Sequence, residues 1–150
     1  MRSAIDACAD LNCKLVFFDN VYMYPKDAVG HMTEETPVGA QTKKGKVREE
    51  IFLMMKEAWE SGKIIGLVAR AADFYGPGIG NSLMGETVVK RLKEDKKPQW
   101  LAKKDTKHNF TYTPDAGKAT AMLALEDDTW NQVWHLPTDP NTMTGEAWVK

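Results

Sequence analysis

Cysteine is scarce in this sequence, with only Cys8 and Cys13 among 150 residues. Two thiols so close together exclude a disulfide framework and a cysteine-based zinc site. Long apolar runs are absent as well, which excludes a membrane-spanning helix. The opening stretch MRSAIDACADLN carries charge where a signal peptide needs an apolar segment, so the expected setting is the reducing cytoplasm. Neither sign of charge dominates: 20 Lys and Arg against 21 Asp and Glu give a net charge of −1. With no basic face, no nucleic-acid partner is expected. His31, His108 and His135 lie far apart without ligand spacing, so no metal site is expected. Internal repeats and low-complexity segments are also missing.

What is present is the composition of a globular chain, 43% hydrophobic and 27% charged. Two segments carry most of the information: KLVFFDNVYMYP (Lys14–Pro25) and KIIGLVARAADFYGPGIGNS (Lys63–Ser82). Each starts as a short apolar run and breaks off into Asp, Asn, Tyr, Gly and Pro. A buried parallel strand reads this way where it leaves a sheet. Open α/β sheets take ligands outside the carboxyl ends of their strands. Asp19, Asn20, Tyr22 and Tyr24, then Arg70, Asp73 and Tyr75, are therefore the candidates for chemistry.

Between these segments Thr42 caps a helix running to about Ser61. Its apolar stripe is Val47, Ile51, Met54, Met55, Ala58 and Trp59, and Gly62 supplies the stop. Strands at Lys14–Phe18 and Ile64–Ala69 make this one βαβ crossover, which implies a parallel sheet. A short helix over Ser3–Asn12 precedes it, and a loop of about twenty residues joins the first strand to the long helix. Further on, the sequence predicts a helix over Ser82–Lys93 and short strands at Gln99–Ala102 and Phe110–Thr113. A helix opening at Thr113-Pro114-Asp115 follows, then a strand at Gln132–Leu136 and a last helix from Gly145.

Several side chains have two readings. Lys43, Lys44, Lys46 and Arg48 crowd the first turns of the long helix, either as an anion site or as a solvated basic face. Arg70 either grips a phosphate or pairs with Asp73 or another acid. Tyr22, Tyr24 and Tyr75 either pack in a wall or act as displaced acids.

The two segments and the helix between them resemble the extended short-chain dehydrogenase/reductases, the NAD-dependent epimerase/dehydratase family. RAADFYGPG (Arg70–Gly78) is similar to that family's Arg-x-x-x-x-Tyr-Gly-Pro-Gly after the sixth strand. DTKHNFTYTPDAGKATAMLAL (Asp105–Leu125) is similar to its later aspartate, aromatic strand and helix opening. The resemblance covers nearly the whole chain. It implies an α/β fold: the C-terminal part of a Rossmann-like parallel sheet over 1–80, and a partial, small α+β substrate-binding region over 81–150. It also implies NAD or NADP as cofactor and a nucleotide-sugar-like substrate for an intact parent. On the cofactor side it places Asp19, Tyr22, Arg70 and Ala71; on the substrate side, Tyr24, Asp73, Tyr75 and Asn81.

Two departures accompany the resemblance. The family's Gly-rich pyrophosphate turn has no counterpart, and Gly76, Gly78 and Gly80 do not replace it with Pro77 among them. The chain is thus expected to be a fragment that binds no dinucleotide by itself and that self-associates or is only marginally folded. The family's Tyr-x-x-x-Lys dyad falls on Lys44 and Arg48, and its Ser/Thr on Asn20. Neither Lys44 nor Arg48 replaces a phenol whose pKa a neighbouring cation lowers. The leading expectation is a piece of an atypical epimerase/dehydratase-like protein, inactive alone; the alternative is a non-catalytic ligand-binding or assembly module of the same fold.

Overall fold

The chain's apolar runs become strands that stay paired beyond the point where the runs end. The computed structural model describes residues 1–79, 82–101 and 103–149. Strand β1 spans Leu15–Asn20 and β2 spans Gly66–Ala71. Asp19, Asn20, Arg70 and Ala71, expected just past the strands or at their ends, are therefore paired strand residues. The order of the main sheet is β1-β2-β6, with β6 at Gln132–His135 running parallel to β2. All six β2 residues are buried, as befits the central strand.

Two helices belong with this sheet, α1 (Arg2–Asp10) and α2 (Lys43–Glu60). Thr42 caps α2 as expected: its Oγ1 accepts the Gly45 N–H at 3.0 Å. The stripe of α2 holds at Met54, Met55, Ala58 and Trp59 and differs toward its N-terminal end. Phe52, Met55 and Ala58 are buried, whereas Val47 is 55% exposed. Phe52 outcompetes Val47 because an aromatic ring removes far more apolar area from water. Those three residues form a core with Ile5, Ile64 and Val68. At Gly45 a Cβ would sit 2.5 Å from the Tyr22 carbonyl oxygen, so only glycine lets α2 begin this close to the β1 exit loop.

The chain forms two compact units. The first comprises Met1–Arg70 and Thr120–His135, the second Ala71–Ala119 and Leu136–Lys150. In the second unit β3 (Asp73–Tyr75) pairs parallel with β5 (Phe110–Tyr112). Strand β4 (Lys107–His108) pairs antiparallel with β7 (Met143–Thr144). A π-helical turn at Gly85–Val89 leads into α3 (Lys90–Lys93). Residues 99–101 form no strand, contrary to expectation; Gln99 N–H instead donates to the Thr87 carbonyl at 2.8 Å, tying the segment to the helical turn. Ala102 lies outside the described residues. Helix α4 (Thr113–Leu125) starts where the Thr-Pro-Asp signal places it and crosses from the second unit to the first; α5 is Gly145–Trp148. Met84, Val88 and Phe110 form the second unit's core, with Trp100 and Trp148 packed against them. Among the described residues no helix is long and apolar enough to cross a membrane.

Candidate functional site

Parallel pairing brings the ends of β2 and β6 to one edge, with Arg70 in register with His135. The end of β1, Asp19 and Asn20, belongs to the same sheet. This is the edge at which open α/β sheets bind ligands.

Arg70 is the organiser of the first unit's polar interior. It is 1% exposed, and its Nη1 donates to the Tyr24 hydroxyl at 2.6 Å. Its guanidinium lies 4.2 Å from the Phe52 ring centroid and 5.0 Å from that of Tyr24. Such stacking suits a planar, weakly hydrated cation. Arg70 Nε stands 3.8 Å from Asp19 Oδ2, and Arg48 Nη1 stands 3.8 Å from Asp19 Oδ1. The carboxylate thus sits between two guanidiniums without closing a tight pair with either. Both Asp19 oxygens, and Arg70 Nε and Nη2, are buried without a well-formed hydrogen bond among the described residues. Burial therefore raises the Asp19 carboxyl above its ordinary range, only partly offset by the Asn20 N–H, Arg70 and Arg48.

The Tyr24 hydroxyl also meets His135 Nε2 at 2.7 Å and the Thr33 carbonyl at 3.1 Å. Its single proton goes to one acceptor; with Thr33 as that acceptor, His135 donates from Nε2. The His135 backbone N–H in turn donates to Glu34 Oε1 at 2.8 Å. Burial raises the Tyr24 hydroxyl and lowers the His135 imidazole; Glu34 opposes the latter shift and Arg70 adds to it. A histidine with a lowered folded-state pKa favours the native state while neutral. Its contribution is complete above the ordinary histidine pKa of about 6.5 and is lost as pH falls through the depressed value. Thermal melts between pH 8 and pH 5, spanning that pKa of about 6.5, are expected to show a decline that His135→Gln flattens. An unchanged slope in the variant would remove His135 from this role.

At the start of α2, Lys44 Nζ lies 4.2 Å above the Tyr22 ring. Asn20 Oδ1 accepts the Tyr22 N–H at 3.0 Å, a local turn that aims the chain out of β1. Arg48 is half-buried, with its guanidinium toward Asp19 and about a third of its side chain in solvent. The structure thus gathers Asp19, Asn20, Tyr22, Tyr24, Lys44, Arg48 and Arg70 within the first unit. The acid facing Arg70 is Asp19.

The second unit holds Ala71, Asp73 and Tyr75. Asp73 Oδ2 meets His108 Nε2 at 2.9 Å, and the Tyr75 carbonyl accepts the Thr113 hydroxyl. Tyr75 packs edge-on against Phe110 and beside Tyr112. A cavity of about 670 Å³ opens beside Tyr75, Gly76 and Pro77, bounded across by Glu86 and Lys90. Asn81 lies outside the described residues.

Sequence reasoning missed His135 and Glu34 as members of the polar interior. The histidine's only signal was its place at the end of a short strand. Glu34 had none, because its partner is a backbone N–H brought near by folding.

No family model matches the chain, and no curated protein does. Solved structures do. The UDP-N-acetylglucosamine 4-epimerase of Methanobrevibacter ruminantium M1, in complex with UDP-N-acetylmuramic acid, is similar with a TM-score of 0.84 at 16% identity, over 97% of this chain and 48% of that one. The dTDP-glucose 4,6-dehydratase of Bacillus anthracis in complex with NAD gives 0.80 at 18%, over 97% and 47%. The UDP-glucuronic acid 4-epimerase of Bacillus cereus in complex with NAD gives 0.79 at 16%, over 95% and 46%. At these identities the likeness defines the fold: the chain has the Rossmann-like α/β fold of NAD-dependent epimerase/dehydratase structures and spans about half their length.

Proposed function

We propose that this chain supplies the substrate-side half of an NAD(P)-dependent, nucleotide-sugar epimerase/dehydratase-like protein, with residues 1–80 as its Rossmann-like part and 81–150 as a partial substrate region. The supporting observation is the cationic strand-end cluster: Lys44 and Arg48 at the first turns of α2, with Arg48 held toward the buried Asp19. Cations beside a helix N-terminus and a sheet edge suit a phosphate-bearing ligand. On this reading Lys44 and Arg48 hold the anionic part of the ligand and Asn20 hydrogen-bonds it. Tyr22 and Tyr24 with Arg70 form the wall beside it.

NAD(P), when bound in such a protein, accepts and returns a hydride at a sugar carbon. Of the residues that the resemblance places beside that group, Asp19, Arg70 and Ala71 are buried, and Tyr22 is exposed to meet it. The turn after β3 carries Gly76 and Gly78 with Pro77 between them, and in sequence it lacks the Gly-x-Gly-x-x-Gly spacing that cradles pyrophosphate. Calorimetric titration of the chain is expected to show saturable binding of UDP-N-acetylglucosamine and none of NAD(H) or NADP(H). A low-micromolar dissociation constant for either dinucleotide overturns the half-site reading.

A second reading, a non-catalytic ligand-binding or assembly module, is favoured by one observation. In the resemblance Lys44 and Arg48 fall at the places of the Tyr-x-x-x-Lys dyad, and Tyr24 is no substitute. It is 5% exposed, burial raises its hydroxyl, and Arg70 and His135 already engage it. A cytoplasmic setting and self-association belong to the same proposal. Strand β1 is an edge of the main sheet, and Phe18 and Leu53 are exposed. Light scattering at micromolar concentration is expected to return a mass above the 16.8 kDa of one chain. A monomer that unfolds cooperatively above about 55 °C, within the mesophile range, contradicts it.

A further inference from the structure

Three helices of this chain end in the same backbone motif. At the end of α2, Gly62 takes a left-handed conformation and Lys63 N–H donates to the Ala58 carbonyl; at the end of α3, Asp95 does the same, with Lys96 N–H on the Arg91 carbonyl. At the end of α1 the left-handed residue is Asn12 (φ 48°), its N–H donates to the Ala9 carbonyl at 3.2 Å, and Cys13 N–H donates to the Cys8 carbonyl at 2.9 Å. This is the Schellman arrangement. It brings the side chain three residues inside the helix end against the side chain two residues past the cap. That contact is commonly apolar. In α1 both positions are cysteine, so the motif sets the Cys8 and Cys13 side chains against each other.

The two sulfurs are not equivalent. Cys13 is exposed, whereas Cys8 is half-buried and packs against the core around Ile5 and Phe52. An oxidant in solution therefore reaches Cys13 first, with Cys8 already in contact to resolve the product. Redox-sensing cysteines pair an accessible sulfur with a neighbouring resolving thiol in this way. The hydrogen bond to Cys13, and then burial, hold the Cys8 thiol above its ordinary range. A raised thiol is the weaker first nucleophile, which leaves the first step to Cys13.

We propose that Cys8 and Cys13 form a reversible intrachain disulfide that staples the C-terminal end of α1 when the protein meets a peroxide. In the first step the Cys13 sulfur attacks the terminal oxygen of a hydroperoxide. An S–O bond forms, the O–O bond breaks, and the alcohol or water leaves with Cys13 as sulfenic acid. In the second step the Cys8 sulfur attacks the Cys13 sulfur, the S–O bond breaks, and water leaves with the Cys8 proton. The thiols together lose two electrons and the peroxide gains them. A dithiol reductant reverses the change by exchange. Two cysteines in a reducing compartment serve a transient, redox-responsive bridge rather than a permanent one. The staple acts on the segment that feeds β1, with Cys13 two residues before the strand Leu15–Asn20 that ends at the strand-end cluster.

The test uses the whole chain treated with hydrogen peroxide, alkylated, digested with trypsin and weighed. Both cysteines fall on one tryptic peptide, Ser3–Lys14. The expected product is that peptide about 2 Da lighter, for the two hydrogens lost, and carrying no alkyl groups. Dithiothreitol returns it to the doubly alkylated form. Cys8→Ser is expected to leave Cys13 as sulfinic or sulfonic acid or as an intermolecular dimer, and Cys13→Ser to leave Cys8 alkylatable after the same treatment. Hydrogen exchange over residues 8–14 is expected to slow in the oxidised chain. A wild-type peptide with Cys13 over-oxidised and Cys8 still free, or a disulfide only between chains, overturns the proposal.

Discussion

Arg70→Met is expected to destabilise the chain by about 3–5 kcal/mol in urea denaturation, the cost of removing one partner of a buried charge pair. The size follows from what is left behind. Asp19, 3% exposed, loses the buried one of its two cations, and the Tyr24 hydroxyl loses its 2.6 Å donor. The guanidinium's contact with the Phe52 ring goes as well. Because burial already raises the Asp19 carboxyl, protonation offers a partial escape, so the loss should shrink as pH falls toward the raised value. The double variant Asp19→Asn, Arg70→Met is expected to cost less than the sum of the single changes, as coupled neighbours do. A loss under about 1 kcal/mol for Arg70→Met, the range of an ordinary surface substitution, would show that the pair does not organise the interior.

Lys44→Met and Arg48→Met are each expected to weaken nucleotide-sugar binding about 10–100-fold, the equivalent of one lost hydrogen bond to a charged group. Their effect on stability should be small, because Lys44 is exposed and Arg48 only half-buried. In a longer protein with turnover, affinity is expected to fall more than the catalytic rate. If either change abolished turnover and left substrate binding intact, Lys44 or Arg48 would be acting in the chemical step rather than in binding. Arg48 carries the larger expected loss, since its guanidinium is half-buried beside Asp19 whereas Lys44 is exposed on the Tyr22 ring.

The parts of this molecule that were legible in its sequence are those governed by local physics. The strands at LVFF and GLVA announce themselves as short apolar runs. Helix α2 shows its cap at Thr42 and its stop at Gly62, and α4 shows its start at Thr113-Pro114-Asp115. Which face of α2 turns inward was less legible. Val47 and Phe52 both sit at plausible spacings, and only the fit against Ile64 and Val68 chooses between them. The expected strand at 99–102 fails over residues 99–101 for a similar reason, since Gln99 finds its partner on a helical turn twelve residues earlier. In the site, the strand-end rule located Asp19, Tyr24 and Arg70 but left open what Arg70 faces. The choice of Asp19 depends on β1 and β2 being neighbours in the sheet, and the link from Tyr24 to His135 depends on β6 being the next strand along. Contacts between residues over a hundred positions apart leave no trace in local pattern.

The measurement that bears most directly on the functional account is a chemical-shift titration of the isotopically labelled chain with UDP-N-acetylglucosamine. The account expects saturable shifts at the backbone amides of Asn20, Tyr22, Gly45 and Arg48, with Lys44→Met and Arg48→Met weakening them. No shift at millimolar nucleotide sugar, or shifts confined to residues away from the ends of β1 and β2 and the start of α2, would contradict it.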